Sequence, residues 1–505
     1  MSQPTSRMEL LRNPISAIGA LLAAINLALG AALLVVHFLE PRNNPYFGIF
    51  LFMVVPGMLF TGLLLIPLGV WREVRRLKRG GAPPANRWPV LDLNRANQRR
   101  LTAIVVVVTT VVMVVSALGA YSAYHYSESV EFCGTTCHIV MEPEHTAYQN
   151  SPHARVTCAQ CHVGPGADWF VKAKISGAYQ VYATLANKYP RPIPTPVRNL
   201  RPAQETCEQC HWPGRVYGGQ LKSFSHTRYD EANTEWPINL LIKTGGNDPA
   251  SGTESAGIHW HMNVGVEVEY VARDEQRQDI PWVRVKDRKT GRVTVYQDQS
   301  NPLSEAELQA ATFRRMDCVD CHNRPSHIYL SPDASVDLAL QTGALDRSLP
   351  SVKQYAVAAM AAEYPDREAA AAGIGKSLSE AYQQNHPEIW NQERERVDRA
   401  VAAVQEAYGK SIFPEMKSRW AVYPDNIGHF IFKGCMRCHA GNHVAESGAV
   451  VSHDCRACHN ILAQGSGDRA QVASTPEGLE FVHPEDIGEE WRETGCYECH
   501  SGTQP

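Results

Sequence analysis

No cysteine in this chain stands alone, and no charge of one sign dominates it. The 505 residues carry 48 Lys and Arg against 52 Asp and Glu, a formal charge of −4. A chain so balanced lacks the basic surface that nucleic acid requires, so no nucleic-acid partner is expected. All 14 cysteines fall into pairs with a histidine directly after the second member. The pairs are Cys133/Cys137-His138, Cys158/Cys161-His162, Cys207/Cys210-His211, Cys318/Cys321-His322, Cys435/Cys438-His439, Cys455/Cys458-His459 and Cys496/Cys499-His500. No thiol is left over for a disulfide framework. Zinc sites need a second pair of ligands and set no histidine behind each second cysteine. Histidine is only 20 of the 505 residues, so seven such placements are not accidental.

This pattern is the attachment signature of c-type haem. The two thiols add to the vinyl groups of the porphyrin, and the adjacent histidine ligates the iron from below. The first motif is wider, with Gly134, Thr135 and Thr136 between its cysteines; such a loop still spans two vinyl groups. Seven covalently attached haems c are therefore expected. Covalent haem attachment occurs outside the bacterial cytoplasm, so the cysteine-bearing part is expected to face the periplasm.

The N-terminal fifth has a different composition. Apolar stretches run from about Ile15 to Leu39, Tyr46 to Val70 and Leu101 to Tyr121, each long enough to cross a bilayer as a helix. The first lacks a clear small-residue cleavage site, which excludes a cleaved signal peptide. Pro56 and Pro67 fall in the second and are expected to kink it. Between the second and third lie Arg72, Arg75, Arg76, Lys78, Arg79, Arg87, Arg95, Arg99 and Arg100 against Glu73 and Asp92. The excess of basic residues assigns that loop to the cytoplasm. Everything after about Ser122 is then periplasmic, in agreement with the haem chemistry. The expected location is the bacterial inner membrane, multi-pass.

The expected architecture is three transmembrane helices followed by a mainly α, loop-rich multihaem cytochrome c domain with a small β insertion. Residues 1–122 form the membrane domain, 123–215 a three-haem domain, 216–310 the β-containing insertion and 311–505 a four-haem domain. In the insertion, Val264–Val271 alternates apolar and polar residues, and Val283–Val285 and Val293–Tyr296 flank the turn-rich Asp287–Gly291. Ser304 with Glu307 reads as a capping box. Val352–Tyr408, rich in Ala, Glu, Gln and Arg, is expected to be mostly helical.

Each iron needs a second axial ligand or an open position. His443 and His327 follow proximal histidines by a few residues, and His153 and His453 stand just before motifs. Offsets this short do not fold back onto one iron, so these four are expected to ligate neighbouring haems. His429, one of His259 and His261 (His261 preferred), His226 and His483 complete the expected set. His386, in a helical stretch, is not expected to ligate. Met141, three residues after His138, either ligates and raises the potential or packs on a haem face; His145 is the alternative ligand.

The segments 132–141 (FCGTTCHIVM), 151–153 (SPH), 157–162 (TCAQCH) and 207–211 (CEQCH), with Lys172, Lys174, Val181 and Tyr182 between them, resemble the NapC/NirT family of membrane-anchored quinol dehydrogenases. The resemblance covers about residues 115–215. Seven haems behind three spans are also similar to the inner-membrane heptahaem cytochromes of metal-reducing bacteria. The resemblance implies electron transfer from membrane quinol, menaquinol or ubiquinol, to a periplasmic cytochrome or reductase. Simple family members have one span and four haems, and Gln180 stands where relatives carry an acid after the lysine pair.

The residues point the same way. The first motif follows the third span closely, so its haem is expected near the bilayer surface, where a hydrophobic quinol must be oxidised. The protons released need an acceptor. Lys172, Lys174 and Asp168 are the candidate quinol-site residues, with Glu131 and His125 nearby. Trp169, Phe170, Tyr179 and Tyr182 among basic groups are typical of an interfacial helix. The alternative is a membrane-anchored multihaem reductase of a small nitrogen or sulfur oxyanion at a five-coordinate haem. No motif replaces its proximal histidine with lysine, and ligand candidates outnumber irons, so electron transfer is preferred. The sequence leaves homo-oligomerisation open.

Overall fold

The computed structural model describes residues 11, 13–39, 54–79, 94–136, 138–164, 167–197, 201–211, 218–245 and 257–504. Two compact units emerge, one from residues 1–129 with 162–179, the other from 130–161 with 180–505.

The first unit is built on helices. α1 (Pro14–Leu39) and α2 (Val55–Lys78) are both apolar and long enough to cross a membrane. They pack antiparallel through small residues. A side chain on Gly62 would meet the Ala23 backbone nitrogen at 2.7 Å, and one on Gly19 would meet the Gly62 carbonyl at 2.7 Å. Such close backbone approach is how apolar helices associate where no water drives them together. Ser16 Oγ donates to the Ile66 carbonyl at 2.8 Å, a polar tie beside Pro67, which lies inside α2. Pro56 instead occupies the first turn of α2, where its missing N–H costs nothing, so no kink is required there. Residues 46–53 of the second apolar stretch lie outside the described residues. The third stretch forms α3 (Ala96–Ser127).

In the second unit, α4 (His138–Gln149) follows the first motif, and α5 (Ala167–Leu185) runs on from the first unit into this one. Two antiparallel sheets follow. One has the order β1 (Gln220–Thr227), β2 (Glu235–Ile242), β8 (His459–Gln464), β9 (Gln471–Val472). The other has the order β6 (Arg314–Arg315), β3 (Val266–Val271), β4 (Trp282–Asp287), β5 (Val293–Asp298), β7 (His443–Ala445). The expected hairpin is present in β4 and β5, paired from Trp282↔Gln297 to Lys286↔Val293. Strands from after residue 311 complete both sheets, pairing Ile238 with Gln464 and Tyr296 with Ala445. The Ser304–Glu307 capping box starts a short helix, Glu305–Ala310.

The largest core belongs to the stretch without cysteines. It contains α6 (Pro332–Gln341), α7 (Val352–Ala361), α8 (Arg367–Asn385) and α9 (Arg394–Ser411). Ala370, Ile374, Leu378 and Tyr382 repeat every four residues on α8, and all are buried. Val397, Ala400, Val404 and Tyr408, spaced three or four apart, are buried on α9, so two apolar stripes face each other. Ser331 and Asp366 cap α6 and α8 through their side-chain oxygens.

One ion cluster is sealed into this core. Lys353, 0% exposed, holds Asp333 Oδ1 and Asp337 Oδ1, each at 2.7 Å. The Tyr229 hydroxyl donates to Asp333 at 2.8 Å. Burial and these carboxylates push the Tyr229 phenol above its ordinary range. Removing one partner of a buried ion cluster leaves charge without compensation, at a cost of about 3–5 kcal/mol. Lys353→Met is therefore expected to lower the thermal unfolding midpoint sharply, and Lys353→Met with Asp333→Asn and Asp337→Asn to recover much of the loss. A Lys353→Met protein that melts with the wild type would show that the cluster does not hold the module.

Candidate functional site

The motif cysteines stand next to one another in chain order. Cys158 shares a side-chain hydrogen bond with Cys133, and Cys161 lies beside Cys207 and Cys210. Cys207 bonds Cys318, Cys321 lies beside Cys435 and Cys438, Cys458 beside Cys435, and Cys496 beside Cys455. Two successive pairs of motifs are thus in contact and the others lie near one another. No described cysteine forms a disulfide; Cys137 and the side chain of His138 lie outside the described residues.

Backbone and side-chain bonds lock this order. Asp317, which caps the fourth motif, accepts from Ala203 N at 3.2 Å, at the start of the helix that carries Cys207. Arg437 of the fifth motif donates to the Asp320 carbonyl of the fourth at 2.8 Å. The buried Asp320 carboxylate accepts from Tyr270 at 2.8 Å, Arg277 at 2.6 Å and Arg314 at 2.8 Å. These bonds join the β3–β4 sheet to two motifs.

The histidines fall into pairs. A metal–imidazole bond is about 2 Å long, so two imidazoles trans on one metal put their ring centres roughly 6 Å apart. The ring centres of His153 and His211 are 5.9 Å apart, His259 and His322 6.3 Å, His261 and His439 5.8 Å, His429 and His459 6.2 Å, and His483 and His500 6.1 Å. Each pair joins one motif histidine to one outside the motifs. His153, His259 and His261 donate from Nδ1 to the carbonyls of Pro325, Thr244 and Ile258. His439 donates likewise to Ser452. A bond of this kind fixes the tautomer and leaves Nε2 as the metal-facing atom. Burial pushes His261, His322, His327, His429, His459 and His500 below the ordinary histidine range, favouring the neutral ring that binds a metal. The donor set and its spacing therefore fit haem iron.

The comparisons agree with this chemistry. A family model of the N-terminal region of the NapC/NirT cytochrome c family matches residues 95–193. Cytochrome c-type protein ImcH of Geobacter sulfurreducens is 44% identical over 492 residues, covering 97% of this chain and 95% of the relative. The chain belongs to the NapC/NirT cytochrome c family. It is a membrane-anchored multihaem cytochrome with covalently bound haem c. No solved structure matches the chain.

Other expected ligands sit differently in this family member. His443 is buried, with Nε2 against the Ile280 carbonyl at 2.7 Å and Nδ1 against Asn442 Oδ1 at 3.1 Å, so protein groups engage both ring nitrogens. His226 Nδ1 lies 3.7 Å from Asp337, and its ring lies against Phe430. His453 lies against Gly441. His386 bonds the Tyr355 hydroxyl at 3.2 Å. Met141 is half-buried. His145 lies so close to Gly134 that a side chain there would meet its ring at 2.3 Å, which explains glycine inside the first motif. His259, set aside in favour of His261, is paired as well. Its signal was the spacing, since two histidines two apart in a turn face different ways.

At the end of α3 a polar cluster forms within the first unit. Lys174 Nζ donates to Ser127 Oγ at 3.1 Å and lies 3.6 Å from Glu128 Oε1. Tyr124 donates to Glu128 Oε2 at 2.8 Å. Lys172 instead stands over the Trp169 ring at 4.6 Å, and the side chain of Asp168 lies outside the described residues. Glu128 was not singled out from the sequence; an acid closing an apolar helix was its only signal. Val171, Ile175, Tyr179 and Tyr182 leave an exposed apolar stripe on α5, as an interfacial helix does.

His443→Gln keeps a side chain able to bond Ile280 and Asn442. It is expected to leave the visible spectrum and the low-spin EPR signal of the loaded protein unchanged; a new high-spin signal would assign His443 to an iron.

Proposed function

We propose that this cytochrome is a heptahaem quinol dehydrogenase of the inner membrane, with three spans and a periplasmic haem domain, that passes electrons from menaquinol or ubiquinol to a periplasmic cytochrome or reductase. The observation that carries the proposal is the unbroken motif order, which begins in the chain directly after α3. Bound haem supplies the one-electron redox centres that link a two-electron quinol to a distant acceptor.

The protein's own residues do three things. His211, His322, His439, His459 and His500, with His153, His259, His261, His429 and His483, are the paired imidazoles that would hold five of the irons. His138 and His162 would hold the other two irons, with His327, His145 and Met141 as candidate partners. The adjacent motifs keep neighbouring redox centres close in chain order. Glu128, five residues ahead of Cys133, takes a proton from the quinol hydroxyl, and Lys174 and Tyr124 hold its carboxylate in place. The apolar face of α5 rests on the lipid surface from which quinol arrives. The acid expected at Gln180 is thus supplied from α3 instead.

The test is stopped-flow reduction of the detergent-solubilised holoprotein by a menaquinol analogue. Wild type is expected to be reduced rapidly, and Glu128→Gln to slow reduction by roughly 10²-fold, the size of a general-base contribution. Haems that dithionite reduces but quinol does not would contradict the dehydrogenase.

A further inference from the structure

The loop after the fourth motif closes over the helix after the first, and the contact is polar and nearly dry. It centres on Glu144 of α4. His327 Nδ1 lies 3.0 Å from Glu144 Oε2 and donates to the Glu144 carbonyl at 3.1 Å. Arg324 Nη2 lies 3.6 Å from Glu144 Oε1, and Arg324 Nε donates to the His327 carbonyl at 2.7 Å. The guanidinium covers the rings of Tyr329 at 5.0 Å and Tyr423 at 4.5 Å. Arg324 and Tyr329 are 7% and 5% exposed. A carboxylate is costly to bury without compensation; here a guanidinium 3.6 Å from one oxygen and an imidazole nitrogen 3.0 Å from the other act as charge contacts rather than hydrogen bonds.

This arrangement differs from the other anchored rings. His153, His259, His261 and His439 each donate from Nδ1 to a neutral backbone carbonyl. Among the described histidines anchored in that way, His327 alone also faces a carboxylate. The Nδ1 proton goes to the Glu144 carbonyl, and the carboxylate beside it acts through its field, which raises the electron density of the ring. That makes the opposite nitrogen a stronger donor to a metal. Stronger donation and nearby negative charge both stabilise the oxidised, more positive iron, and so lower its reduction potential.

We propose that Glu144 is a positioning residue that holds the reduction potential of one haem, the one ligated by His327, below the value a backbone anchor alone would give. The inference rests on the reading of His327 as an axial ligand. Glu144 therefore differentiates one site in a row of otherwise similar paired-imidazole sites. It also ties that site to α4, 183 residues away in the chain.

The experiment is a spectroelectrochemical titration of the full-length holoprotein in detergent, with EPR on the same samples. Wild type is compared with Glu144→Gln, Glu144→Asp and His327→Ala. Glu144→Gln is expected to keep the haem content and the low-spin signal while moving one midpoint potential upward and leaving the rest. Glu144→Asp keeps the charge beside Arg324 but withdraws the carboxylate from Nδ1. It is expected to move the same midpoint in the same direction by less, and it supplies the readout if Glu144→Gln loads haem poorly. Titration curves for both variants that superpose on the wild type, while His327→Ala alters one haem spectrum, would overturn the role of Glu144 and leave the ligand reading intact. Unchanged spectra in His327→Ala would remove His327 from the iron, and the inference with it.

Discussion

A histidine ring held by its Nδ1 on a backbone carbonyl can point its other nitrogen in only one direction. Much of this molecule follows from that constraint. Ring centres 5.8–6.3 Å apart recur in five places, and some of the carbonyls that orient the rings come from other segments of the chain. Pro325 holds His153, and Ser452 holds His439. The turn Ile258–Met262 carries both His259 and His261 toward rings of two successive motifs, His322 and His439, with Trp260 packed into the sheet core beside it. Two neighbouring sites therefore share one short piece of backbone, and their separation is set by the covalent geometry of that turn.

The molecule divides its sources of stability accordingly. The motif-bearing segments have little regular structure of their own; their helices are single turns such as Cys318–Cys321 and Cys496–Cys499. Cofactors bonded to those turns supply apolar mass that the sequence omits. The cysteine-free stretch from α6 to α9 is built in the opposite way, with capped helices and facing apolar stripes. It gives the motif segments a rigid body to attach to. Tyr423 and Trp420, near its end, bond the carbonyls of Ile193 and Ser501, fastening the early and the last motif segments to the same core.

Legibility in the sequence tracked the range of the interaction. The motifs, the apolar helices, the periodic stripes of α8 and α9 and the capping box at Ser304 are local patterns, and each could be read directly. The strand pair joining Ile238 to Gln464 could not, because no local signal names a partner so far along the chain. Histidines gave the clearest contrast. Counting them and noting their offsets pointed to ligation in general, yet His443, with a promising offset, bonds Ile280 and Asn442, while His259 and His261, offered as alternatives, each lie beside a different motif ring. Distance from a motif is a one-dimensional quantity; a ring's direction depends on which carbonyl lies behind it. Glu128 escaped notice for the same reason, since only the fold brings Lys174 beside it.

The central claim is that paired imidazoles, oriented from behind by the backbone, hold most of the irons in this chain. Near-infrared magnetic circular dichroism of the fully oxidised protein tests it most directly, because the ligand-to-metal band reports the two axial ligands of each low-spin haem. The account predicts intensity for at least five irons with two histidines each. Fewer than five such irons would contradict it.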